Sequence, residues 1–423
     1  MKSARPAFAV TDRSGYRGNR GRRTRCCSAL IACCSVAAIA QAPAAGQTAG
    51  PRPFPQTSRA SRKVDRTPTS LFPVRSIWTL PLNVALAAPP AYDETRVFFP
   101  IDGDRLAAYE LLTGKQLWIV TARPSHRPAT GEGLVFLAEP DGLTAVRAAD
   151  GSVVWRLPFP EKLAVRPVWD NGWLVISTTS GSTLAFRASD GHLIWRYDAG
   201  VAATAPPALA GDQVYVPVAD GRVLALRVET GALTWERKIG GTPNEVLALD
   251  DRLYVGSKDN FLYCLMTRDG RVDWRWRTGG DIIGVPAVDE RRVFFVSLDN
   301  VLRALDRTSG AQLWLRTLPL RPTWGAVKVG DSIVVAGQSA GAKAFDLKDG
   351  RPADDLPAGA EVAATPHAFD HPDTTLPVLL LVTRDIAKGA AAILMTRSVE
   401  PPLAAVAPLP NVITLSPTRP RLP

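Results

Sequence analysis

An all-β, eight-bladed β-propeller of four-stranded antiparallel blades is what three features of this 423-residue sequence predict. A segment ending in Gly-x-x-x-Trp returns about every 40 residues. Each period holds short apolar runs separated by Asp-Gly or Thr-Gly, the residues that supply the positive φ of tight hairpin turns. No stretch sustains an apolar period of 3.6 residues, which excludes helical solenoids. Pro (36) and Gly (33) are frequent enough to agree with a chain built mostly of turns and short strands.

The first element is a leader, residues 1–40. Lys2, Arg5, Arg13, Arg17, Arg20, Arg22, Arg23 and Arg25 face a single acid, Asp12, and the apolar run from Cys26 to Ala40 follows. Basic, apolar, then small residues is the layout of a secretory signal peptide, and the run is too short for a membrane span of about 20 residues. Two processing routes stay open. Ala38-Ile39-Ala40 offers a cleavage site before Gln41, and Leu30-Ile31-Ala32-Cys33 resembles a lipobox that would make Cys33 a lipidated first residue. The leader also holds most of the formal charge of +10, so the rest of the chain has the mixed signs that argue against nucleic-acid binding. Four of the five Cys lie in the leader; Cys264 stands alone downstream, which excludes a disulfide within the folded body and reads as a small buried hydrophobe.

Residues 41–73, rich in Pro, Ala, Ser and Arg, read as a flexible linker. The propeller is expected over 74–405. Its six clearest periods end at Trp118, Trp155, Trp195, Trp235, Trp274 and Trp314, each four residues after Gly114, Gly151, Gly191, Gly231, Gly270 and Gly310. Trp78 lies 40 residues before Trp118, and Gly350 lies 40 after Gly310 with Asp354 in the Trp position. Around residue 220 the strands are expected at Thr204–Leu209, Gln213–Val218, Arg222–Val228 and Ala232–Arg237. A blade cannot bury both faces alone, so an indole recurring at one point of each repeat is expected to dock one blade on the next. Eight periods counted from Trp78 reach the region of residue 398, and a divergent last repeat closing on a strand near Ser76–Leu80 gives eight blades; seven with an appendage is the alternative. Residues 406–423 read as a Pro-rich tail.

The pattern Ala-x-Asp/Glu-x-x-Ser/Thr/Asp-Gly-x-x-x-Trp resembles the repeat of the pyrroloquinoline-quinone (PQQ) enzymes. Ala304, Asp306, Ser309, Gly310 and Trp314 match it fully, Ala108, Glu110, Thr113, Gly114 and Trp118 match closely, and Ala344, Asp346, Asp349 and Gly350 match all but the Trp. Arg147, Arg187 and Arg227 take the acidic position in three repeats, which puts that hydrogen-bonding role in doubt there. The resemblance implies a propeller in which the Trp docks adjacent blades.

Quinoprotein members of that family carry an adjacent Cys pair by the quinone and a Glu/Asn/Asp set around calcium. Here the adjacent Cys pairs are confined to the leader, and no oxygen-rich calcium set is recognisable. His367 and His371 have i,i+4 spacing, but Pro366 and Pro372 place them in an expected loop rather than on a zinc-binding helix. No catalytic residue, cofactor or metal is therefore expected. An exported propeller of this kind is most similar to the BamB family of outer-membrane protein assembly lipoproteins. That resemblance implies a non-catalytic periplasmic scaffold, possessing at most a lipid anchor, that docks on the barrel-assembly subunit. A PQQ-dependent dehydrogenase and an extracytoplasmic propeller with another partner are the alternatives.

Overall fold

In a computed structural model, residues 69–398 except Ile386 are described, all within one compact unit. The expected signal peptide, Cys33 and the Pro-rich tail lie outside the described residues. The described chain is all β: eight antiparallel sheets, seven of them simple four-stranded meanders. The first begins at Ala91–Tyr92 and continues through Arg96–Ile101, Arg105–Glu110 and Gln116–Thr121. The first strands of successive sheets touch one another, so they line the axis of an eight-bladed propeller.

Burial follows strand position. The middle strands are continuous apolar runs buried on both faces, as in Arg96–Ile101 and Leu253-rich Arg252–Ser257. The outermost strands alternate and are largely exposed, as in Leu233–Lys238. In the fourth sheet the strands are Ala208–Ala210, Gln213–Pro217, Arg222–Arg227 and Leu233–Lys238. The last three lie within one residue of expectation. The inner one does not: Ala203 bridges Val218, the chain then bulges through Thr204–Pro207, and pairing resumes at Ala208. Consecutive prolines without amide donors break the ladder there.

The last sheet settles the blade count at eight. Gly389–Arg397 pairs on one side with Pro377–Asp385 and on the other with the N-terminal strand Val74–Pro81, both in antiparallel register, with Trp78 opposite Leu394. Its inner strand is split into Glu361–Val362 and His367–Asp370. His367 thus lies in a strand rather than the expected loop.

The linker assignment ends earlier than 73. Leu71 is fully buried among Val329, Ala344, Leu356 and Leu379, between the seventh and eighth blades. Its amide donates to Asp331 (3.3 Å), and Arg397 donates to the Ser70 carbonyl (3.2 Å). Gly330 makes room, since a Cβ there would lie 2.2 Å from the Thr69 carbonyl oxygen.

Candidate functional site

Each period builds the same fastening. A β-turn ends the third strand of a blade, and the amide of its Gly donates to the carbonyl four residues back: Gly114 to Glu110 (2.9 Å), Gly191 to Arg187 (2.9 Å), Gly310 to Asp306 (2.9 Å). The Gly sits at φ between +66° and +75° in all six strong repeats, where a side chain is strained. The preceding residue finishes the turn. Asp150, Asp190 and Asp269 accept the amide two residues on at 2.9–3.0 Å, while Thr113, Thr230 and Ser309 do the same through a hydroxyl at 3.2–3.3 Å.

This explains why the repeat tolerates Arg at the acidic position. Asp306 adds side-chain acceptance from the Thr308 and Ser309 amides, but the turn in the Arg147, Arg187 and Arg227 repeats keeps the backbone bond. Those arginines pair instead with neighbouring carboxylates, Arg187 with Asp190 (2.9 Å) and Arg227 with Asp212 (2.6 Å).

Onto each turn the preceding blade lays its indole. Trp118 lies against Gly151, Trp155 against Gly191, Trp195 against Gly231, Trp235 against Gly270, Trp274 against Gly310 and Trp314 against Gly350. Each ring nitrogen donates to a carbonyl of the next blade: Trp118 to Ala148 (3.0 Å), Trp155 to Ala188 (2.9 Å), Trp195 to Val228 (2.6 Å), Trp235 to Thr267 (2.8 Å), Trp274 to Arg307 (3.0 Å) and Trp314 to Leu347 (3.2 Å). Trp78 closes the circle from the eighth blade onto Gly114 and Leu112 (3.1 Å). The indoles are therefore spread one to a seam and do not converge on a shared pocket. The seam between blades seven and eight lacks the Trp and the Gly of the repeat. There Asp354 stands opposite Ala344, Leu71 fills the outer part, and Trp324 donates to Val362 (3.0 Å) on the axial side.

Two surfaces can meet other molecules. The outer strand Gln116–Thr121 presents a free edge with no charged residue, and Leu117 and Ile119 are 40% and 42% exposed along it. The other outer strands among the described residues carry charges, which protect such edges. The second surface is the axial channel. Beside it Tyr92 and His367 stack with ring centroids 3.9 Å apart in the wall of a separate pocket that they line with Trp169, and the Arg127 guanidinium of the channel lies 5.6 Å over the Tyr92 ring. Burial, helped by the charge of Arg127, holds the His367 pKa down at about 4, so its imidazole is neutral near pH 7. Sequence reasoning missed this group, because the inner strands Ala91–Tyr92 and His367–Asp370 are too short to show which side chains meet.

The remaining reactive side chains are dispersed. Cys264 is buried in a middle strand, and burial pushes its thiol up to about 12. His371 lies outside the strand that holds His367 and accepts the Asp373 amide (3.1 Å). Among the described residues no three His, Cys, Asp or Glu side chains cluster as metal ligands.

A ring of sheets fastened by a repeated Trp–Gly contact is a PQQ-like β-propeller. The family described as outer membrane protein assembly factor BamB matches residues 102–249 and 245–365, and the chain belongs to that family. No curated protein sequence matches it. Among solved structures it is similar to BamB from Moraxella catarrhalis, at 17% identity and TM-score 0.62, over 76% of this chain and 99% of that one. Quinohemoprotein alcohol dehydrogenase from Comamonas testosteroni is similar at 12% identity and TM-score 0.61, over 76% of each chain. A computationally designed protein, Ika8, is similar at 13% identity and TM-score 0.61, over 75% of this chain and 99% of that one. At these identities the three likenesses speak for the fold alone.

Proposed function

We propose that this protein is an exported, non-catalytic scaffold that docks by shape on a partner of the outer-membrane β-barrel assembly apparatus. The observation that carries the reading is the family match, which runs through most of the propeller. The uncharged edge at Gln116–Thr121 supports it, since a free apolar strand edge is a surface on which another chain can add a strand. The leader directs export, and either Cys33 carries a lipid or the mature chain starts at Gln41; the mass of the mature N-terminus distinguishes them.

Affinity capture from an envelope extract, with the mature full chain as bait, is expected to recover the barrel-assembly subunit. A clean miss overturns the assembly assignment and leaves a propeller with another partner. The dehydrogenase alternative is tested by adding PQQ with calcium and an alcohol or sugar. Dye reduction above background would overturn the scaffold reading.

A further inference from the structure

Where the inner strands bulge they enclose an axial cavity of about 470 Å³. Arg127 of the second blade and Arg166 of the third reach it from the segments just ahead of the neighbouring inner strands Ala129–Gly131 and Val168–Asp170, each just before a proline that forces the backbone out of regular pairing. Among the described residues, neither guanidinium has a hydrogen bond or a carboxylate within ion-pair distance. Arg127 is held by the face of Tyr92 instead, which leaves its N–H groups free. Burial, then the charge of Arg127, pull the pKa of Arg166 down to about 10, with Glu245 opposing from beyond contact. Arg127, Arg166 and Lys328 line the cavity against one acid, Glu245.

A partly buried guanidinium without a counter-charge in contact costs stability, and two that repel one another cost more. A fold keeps such a pair at a loss unless something negative binds between them. Each planar fork matches two oxygens of one acidic group, which a compact ammonium does not. We propose that Arg127 and Arg166 form an anion site in the axial cavity, which takes a small ligand carrying a carboxylate or phosphate group. The site is independent of the docking role and stands or falls apart from it.

Calorimetric titration and thermal melting of the mature full chain, at fixed ionic strength in chloride, test the proposal with succinate and with inorganic phosphate as probes. Saturable binding and a rise in melting temperature are expected with one of them, and which one identifies the ligand class. Arg127→Met and Arg166→Met should each weaken that binding about tenfold or more. Arg166→Met should also raise the melting temperature of the anion-free protein, because it removes the repulsion; a merely structural arginine would lower it. If Arg166→Met does not fold, Arg127→Met, whose side chain lies on the Tyr92 face, carries the test. Absence of saturable binding by both probes, or binding unchanged in the variants, overturns the site.

Discussion

Trp195 is 7% exposed, stacks on Gly231 and donates to the Val228 carbonyl, so its truncation removes packing and orphans an acceptor together. Trp195→Ala is expected to cost about 3–5 kcal/mol, read by denaturant unfolding of the full chain. An unchanged transition would show that the indole does not fasten the seam. These positions were legible in the sequence because the contact joins residues a fixed distance apart, and repetition makes that distance visible. His367 was not, because burial and stacking on Tyr92 leave no local signature. Its folded pKa of about 4 lies below the ordinary 6.5, so the unfolded chain binds a proton first as pH falls. Stability from this residue is therefore complete above about pH 6.5 and is lost progressively down to about pH 4. His367→Phe keeps the stack and should flatten that part of the melting-temperature profile; an unaltered slope would contradict the shift.

At the level of the element, the segment Thr69–Pro73 does at one seam what an indole does at the others. Leu71 is 0% exposed where the Trp and Gly of the repeat are both missing. Leu71→Ala is expected to cost about 2–4 kcal/mol. Hydrogen exchange should then quicken first in Val74–Pro81 and Gly389–Arg397, the pair that closes the ring. Protection lost evenly over all blades would refute a local clasp. This element could not be read from the sequence, since one Leu-Phe pair inside a Pro- and Arg-rich stretch carries no periodicity. The inner strands were half legible for a related reason: two to seven residues, interrupted by proline, are too short for alternation to declare a face.

Over the whole molecule, the count of eight blades followed from period arithmetic, and the divergence of the last repeat has a structural cause. Its outermost strand is Val74–Pro81, from the other end of the chain, so residues 358–398 need encode only what lies inside it. The Arg127–Arg166 pair escaped sequence reading because the two sit 39 positions apart, each just ahead of a three-residue inner strand of consecutive blades, where nothing local shows that they face one cavity. The fastening also has a direction: one sector presents an indole and the following sector receives it. Cutting out residues 191–230 would therefore leave Trp155 facing Gly231 instead of Gly191, chemically the same joint. Interior sectors are interchangeable tiles, and a lineage can add or drop one without inventing a new junction. The joint held by Leu71 and Trp324 is the keystone, and no interior copy can take its place.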